Sequence, residues 1–260
     1  MKKYFSITAI LLFVAGIAFA QNNQATVDQD GNANEAMIEQ IGNLNQATVD
    51  QDGYEINADI YQSGTSNQAI AIQSTDGLLL EGVSANIHQE GIQNIAEVDY
   101  QNDITDNRNT LADIQQYGNE NKAYVQQSNH GGEVYILQDG YNNLARVRQH
   151  GNYDNHVDIA QYGDNNIVAN ASLGNNNEIS LQEGVKARNH RSEINIIQDG
   201  IEGGIGNRVG FNQRGWQTAD ISQFGDNNET LLYQDGGYHT STVIQTGNDN
   251  NATILQLDLP

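Results

Sequence analysis

The residues best placed to do chemistry are side-chain amides at a fixed spacing. Gln29, Gln40, Gln51, Gln62 and Gln73 stand eleven residues apart, and Asn23, Asn34, Asn45 and Asn67 each precede one of them by six. A primary amide is no acid, base or nucleophile at neutral pH. It offers two N–H donors and a carbonyl acceptor, so its chemistry is hydrogen bonding. Repeated at one spacing, amides can stack in columns, each donating to the next and accepting from the one before.

Other chemistries find little support. The six histidines, His88, His130, His150, His156, His190 and His239, are scattered with no metal-ligand spacing. There is no phosphate loop and no nucleophile elbow. Cysteine is absent, so neither disulfides nor thiolate sites arise. The Gly-Gly-x-Gly-x-Asp calcium pattern is missing, and a solvated acidic face accounts for the carboxylates. Arg146 and Arg148 alternate on the outer face of one strand, where an ordinary surface pair outweighs a carbohydrate contact. Outward Thr26 and Thr48 begin the flat threonine ladder of an ice-binding surface, but Ile70 ends it. Neither a cofactor, a metal nor a catalytic residue is expected.

The amide repeat runs nearly the whole chain. The register resumes at Gln89, passes Tyr100 where a glutamine is expected, and continues through Gln116, Gln127, Gln138, Gln149, Gln161, Gln182, Gln198, Gln213, Gln223, Gln234, Gln245 and Gln256. Asn94, Asn121, Asn143 and Asn250 extend the asparagine position. Two residues after most anchors comes glycine, as at Gly31, Gly42, Gly53, Gly64, Gly140, Gly225 and Gly247. Between Asn and Gln the even positions carry a small residue and then an aliphatic one, as in Ala25 and Val27 or Ala36 and Ile38. Period two over seven residues is a strand signature, and the odd positions (Gln24, Thr26, Asp28, Glu35, Glu39) suit water.

Strands of seven residues joined by four-residue turns return the chain to the same place every 22 residues, and "NQATVDQDG" recurs letter for letter at Asn23 and Asn45. The fold predicted is all-β: a parallel β-helix-like solenoid of about ten two-stranded rungs stacked about 4.8 Å apart. Extra residues between Gln73 and Gln89, Tyr100 and Gln116, Gln182 and Gln198, and Gln198 and Gln213 read as enlarged turns. From Asn165 to Gln182 two alternations, one residue apart, fit equally.

Residues 1–20 read as a secretory signal, with Lys2 and Lys3 before an apolar run and Ala18-Phe19-Ala20 before the cleavage point. The mature chain, 21–260, then carries 33 acids against nine Lys and Arg, a formal charge of −24. That sign excludes a nucleic-acid partner, and no later stretch is apolar enough for a membrane span. A first strand at Asn23 and a last one over Asn250 to Gln256 lead us to expect open hydrogen-bonding edges at both ends.

Asn-x-Ala-x-x-x-Gln-x-Gly, repeated in register in an acidic, cysteine-free chain, resembles the curlin repeat of curli amyloid subunits over nearly all of 23–257. The resemblance implies an extracellular functional amyloid: a self-associating fimbrial subunit exported through an outer-membrane pore and polymerised into adhesive, biofilm-matrix fibres with a nucleator subunit. It implies that the repeat's Asn and Gln are the stacking residues. The major, fibre-building role is favoured over the minor, nucleating one, since no strongly basic last repeat occurs. A non-polymerising β-solenoid adhesin is the alternative.

Overall fold

A computed structural model describes residues 22–74, 82–100, 110–129, 132–151, 156–173, 192–199 and 206–257. The expected signal segment, 1–20, lies outside these residues. All described regular structure is strand. The first strands are β1 (Gln24–Asn32), β2 (Glu35–Asn43), β3 (Gln46–Tyr54), β4 (Ile56–Thr65), β5 (Gln68–Ser74) and β6 (Val83–Ile92). There follow β7 (Ile95–Tyr100), β8 (Leu111–Asn119), β9 (Lys122–Asn129), β10 (Glu133–Tyr141), β11 (Leu144–Gly151) and β12 (His156–Tyr162). The last are β13 (Ile167–Leu173), β14 (Ser192–Asp199), β15 (Arg208–Phe224), β16 (Glu229–Thr246) and β17 (Asn251–Leu257).

From β1 to β13, every strand pairs in parallel with the strand two places on. β1 lies on β3 with Val27 opposite Val49 and Gln29 opposite Gln51; β2 lies on β4 with Ile38 opposite Ile60 and Gln40 opposite Gln62. The chain therefore climbs two parallel sheets in alternation, which is a β-solenoid. The odd-numbered strands up to β13 form the first sheet and the even-numbered strands up to β14 the second. β15 and β16 run through a corner and give one arm to each sheet: β13 pairs with 208–213 of β15, and β14 with 217–224. β17 closes the first sheet against the proximal arm of β16, 229–235, while the distal arm, 238–246, lies on 216–224 of β15 in the second sheet.

The inward positions fill the space between the sheets. Val49, Ala58, Ile60, Ala69, Ala85, Ala112, Ile114 and Val157 are all fully buried, a small residue alternating with a branched one along each strand. The core is thin, two apolar side chains per strand, and each rung completes its burial only against its neighbours.

The strands are longer and the turns tighter than period counting predicts. β1 and β2 span nine residues each and are separated by Ala33 and Asn34 alone. The strand continues through Gly31, whose φ of +111° bends the chain while its partner Gly53 stays in register. The left-handed turn residue is the one two places after the glycine. There Ala33, Leu44, Glu55, Ser66, Gln93 and Glu120 adopt φ between 54° and 59°. None of these types favours that conformation, so the neighbouring rungs impose it.

Among the described residues, Gln161 donates directly to Gln198 at 2.8 Å across 37 residues, and β13 is the one strand between β12 and β14. Leu173 takes the anchor place, opposite both Gln149 and Gln213. Gln182 itself lies outside the described residues. The two competing alternations after Asn165 are both used: Val147 pairs with Ala171 although Ala145 pairs with Val168, so a bulge switches from one to the other inside β13.

Candidate functional site: amide columns and the ends of the stack

The glutamines form two columns. In the second sheet, Gln40, Gln62, Gln89, Gln116, Gln138, Gln161, Gln198, Gln223 and Gln245 make an unbroken series. Each Nε2 donates to the next Oε1 at 2.7–2.9 Å. The column glutamines from Gln51 to Gln245 whose side chains are described are buried, where an unmade amide bond would cost about 1–3 kcal/mol. A second amide hydrogen crosses the interior to a backbone carbonyl on the preceding strand: Gln40 to Gln24, Gln51 to Glu35, Gln62 to Gln46. Each glutamine thus ties three strands together.

The first-sheet column is interrupted. Gln29, Gln51 and Gln73 connect at 2.7 and 2.9 Å, and Gln234 reaches Gln256 at 2.6 Å. Tyr100 and Leu173 stand between these groups. Gln127 lies between Tyr100 and Gln149 and donates to the Gly132 carbonyl. The backbone of Gln149 is in register, and its side chain lies outside the described residues. Tyr100 is fully buried, and its hydroxyl donates to the Ser84 carbonyl at 2.7 Å. Ser84 is sixteen residues earlier, the same offset as the interior bond of Gln51 to Glu35. Tyrosine replaces that bond but not the column. Burial raises its hydroxyl pKa well above the usual phenol value.

The asparagines behave differently from the amide-on-amide stacking expected. Asn23, Asn45, Asn67, Asn94, Asn121, Asn143, Asn166, Asn207, Asn228 and Asn250 all lie at one corner, where the chain passes into the first sheet. Each Oδ1 accepts the backbone N–H of the next member: Asn45 from Asn67 at 3.0 Å, Asn67 from Asn94 at 3.0 Å. From Asn45 onward each Nδ2 binds carbonyls instead, as Asn45 does at Ile41 and at Gly64 in the next rung. From Asn121 onward several add a true amide-to-amide bond, such as Asn143 to Asn121 at 3.1 Å. The short side chain sits against backbone, and so it fastens the turn.

Glycines line the same corner because a side chain has no room. A Cβ on Gly64 would stand 2.0 Å from the Gly91 carbonyl oxygen, and one on Gly91 1.8 Å from that of Gly118. Gly42, Gly140, Gly225 and Gly247 belong to this corner, while Gly31 and Gly53 are at the opposite one. Asn34 is also at the opposite corner. Its Oδ1 accepts from Ile56 at 3.3 Å, after which the column continues as Ile56, Val83 and Thr110. The lengthened spacings from Gln73 to Gln89 and from Tyr100 to Gln116 fall at that opposite corner, and the one from Gln198 to Gln213 at the corner packed with asparagine and glycine.

The family model of the curlin associated repeat matches residues 20–53, 217–245 and 225–257. Those stretches carry the pattern of the curlin associated repeat. No curated protein matches the sequence. The matched curlin repeats are the two ends of the stack, and the strands between them keep the same register.

Outside the columns, outward side chains pair with one another. His88 stacks on Tyr61 with ring centroids 4.6 Å apart and meets Glu90 at 2.9 Å. Arg146 lies 5.2 Å over the Tyr124 ring, in a depression it shares with Glu97 and Asp99. Among the described residues no group of three or more His, Asp or Glu is placed to hold a metal ion.

At the two ends the inward positions lose part of their cover. Val27 in β1 is 38 % exposed where its partner Val49 is fully buried, and at the far end inward Ile254 of β17 is only half-buried. Ile244 and Leu255, 70 % and 64 % exposed, are apolar residues at outward positions there. The sequence does not flag Val27 as exposed, because a repeat motif reads the same at an end as in the middle. Asn166 was missed for another reason: Asn165 and Asn166 offer two registers, and one extra residue before Gln161 hides the right one.

Proposed function

We propose that this chain is the structural, fibre-building subunit of an extracellular curli-type amyloid, polymerising end to end into adhesive matrix fibres. The observation that carries the reading is the pair of end strands. β1 and β2 at one end, and β17 with the distal arm of β16 at the other, each have one side without a strand partner among the described residues. A parallel edge with exposed apolar residues templates another strand, and stacked amides reward each addition with bonds the last rung could not complete. Signal-directed secretion, passage through an outer-membrane pore and a separate nucleating subunit belong to the same proposal, on the strength of the curlin repeat. The role assigned is mechanical, with no catalytic step.

The test is thioflavin fluorescence over time on residues 21–260 diluted from denaturant, with and without preformed fibre seed. A lag abolished by seed, together with cross-β diffraction, is the expected result. A folded β-rich chain that stays monomeric for days would overturn the reading in favour of a non-polymerising adhesin.

A further inference from the structure

The ends of the stack do not match in the way an even array would. Among the described residues the first sheet has ten strand runs and the second nine, nineteen half-rungs in all. The stack begins on the first sheet with β1 and ends on the first sheet with β17. A second copy added in the same orientation would set β1 on β17. The second sheet would then skip a strand, leaving a gap of about 9.6 Å where the spacing is about 4.8 Å. We infer that successive copies join after a half-turn about the stack axis, with β1 on the distal arm of β16 and β2 on β17. This rests on the end-to-end reading above and specifies its joint.

Gln29 supplies the first argument. Gln40, Gln51 and Gln62 each spend one amide hydrogen on the next rung and one on a carbonyl half a rung beneath, on the opposite sheet. Gln29 makes only the first bond, to Gln51. The second needs a strand half a rung below it on the other side. In the half-turn joint that strand is β17, and its Asn251 carbonyl takes the place that Gln24 holds beneath Gln40. Without the turn, that place is the gap.

Polarity and register agree. All glutamine bonds point one way, so the C-terminal end offers amide hydrogens of Gln245 and Gln256, and the N-terminal end offers Oε1 of Gln29 and Gln40. Head-to-tail contact completes both columns; head-to-head contact sets acceptor against acceptor. The half-turn also carries Asn34 onto Asn250, the last of its column. Asn34 then gains an asparagine partner, which its own corner does not supply among the described residues. Across the joint Asp28 falls on Ile244 and Glu39 on Leu255, so neither acid faces an acid. The copy rises about 46 Å per half-turn, and the structure repeats every ~91 Å.

Because the chain has no cysteine, paired substitutions can read the joint. Thr26, Thr242 and Thr253 are exposed and occupy the same place in their strands. The half-turn sets Thr26 beside Thr242 of the next copy at a spacing of about 4.8 Å, within disulfide reach. Within one chain the two lie at opposite ends. Fibres of the mature chain with Thr26→Cys and Thr242→Cys, grown reduced and then oxidised, are expected to give a covalent ladder on a non-reducing gel. Thr26→Cys with Thr253→Cys is expected to remain monomeric. The reverse pattern would establish a joint without the turn. Dimers from Thr242→Cys alone would show tail-to-tail contact, and fibres that link in no variant would show that these ends do not meet; each overturns the inference. Absence of fibres from the unsubstituted chain would instead sink the fibre reading itself.

Discussion

Gln116 donates an amide hydrogen to Oε1 of Gln138 at 2.8 Å, one rung along the stack. Both side chains are fully buried. In an apolar interior such a pair would be a liability, since a desolvated amide with an unmade bond is destabilising. Here each amide is completed by the rung on either side, so what is costly in one rung is satisfied in the array. That reconciles a disorder-like composition, acidic and poor in aromatics, with an ordered fold.

Replacing Gln116 by leucine tests this. The change leaves the donor of Gln89 and the acceptor of Gln138 without their partner. At about 1–3 kcal/mol for each orphaned group, Gln116→Leu is expected to lower the urea midpoint clearly, despite adding apolar surface. An unchanged or higher midpoint would mean that the column contributes little.

Tyr100 predicts a dependence on alkaline pH. Burial raises its hydroxyl pKa above the unfolded phenol value, against a smaller lowering by a backbone hydrogen bond involving Ala112. The folded chain therefore holds this proton more tightly than the unfolded chain. Stability is complete below the unfolded pKa of about 10 and declines as pH rises above it. Tyr100→Phe is expected to lose stability near neutral pH, because the Ser84 carbonyl loses its donor, and to flatten the alkaline decline. Tyr100→Gln should restore the column between Gln73 and Gln127. Denaturation midpoints of the three proteins at pH 8 and pH 11 decide it.

Much of this was legible in the sequence, for a physical reason. A parallel in-register stack writes one rung's requirements into every rung, so "NQATVDQDG" at Asn23 and Asn45 announces β1 and β3 and their register. The inward positions, Ala47 and Val49 for instance, follow from period two. What could not be read was whatever differs between rungs. Asparagine at Asn34 and at Asn45 has the same motif, yet only the second continues as a column. The non-glycine turn residues, from Ala33 to Glu120, take a conformation their types disfavour, because neighbouring rungs and not local propensity decide it. Leu173 holds an anchor place without an anchor side chain, after a bulge that no composition signal marks.

Gly64 and Gly247 separate folding from assembly. Both have positive φ, +119° and +97°, which costs an L-residue about 1–2 kcal/mol. A Cβ at Gly64 would also collide with the Gly91 carbonyl, whereas at Gly247 the nearest atom is Asn250 Nδ2 at 3.8 Å. Gly64→Ala is expected to damage the monomer fold much more than Gly247→Ala. Gly247 lies at the end of the stack, where the half-turn joint would bring Gly31 of the next copy against it. Gly247→Ala should therefore retain most of its circular-dichroism melting midpoint but elongate seeds poorly. Equal melting losses in the two variants would contradict the close-approach account.

Acid should speed assembly. Asp28 lies opposite Asp50, and Asp30 opposite Asp52, on the outer face near the N-terminal end. At about 4.8 Å in water each such pair repels by about 0.9 kcal/mol, less than the about 1.5–3 kcal/mol from burying one Val or Ile. These pairs lie within one copy; between copies it is the formal charge of −24 on each mature chain that slows approach without preventing it. Asp59 acts in the same direction. Burial first, then the Glu39 charge, raises its carboxyl pKa, with His88 opposing. An acid whose folded pKa is raised holds its proton more tightly when folded, so lowering the pH through that pKa stabilises the stack. The lag before fibre growth is expected to shorten several-fold between pH 7 and pH 4, and also with added salt at pH 7. Asp59→Asn should show a smaller pH response in monomer stability. Lag times that do not change across that range would remove charge repulsion as the brake on assembly.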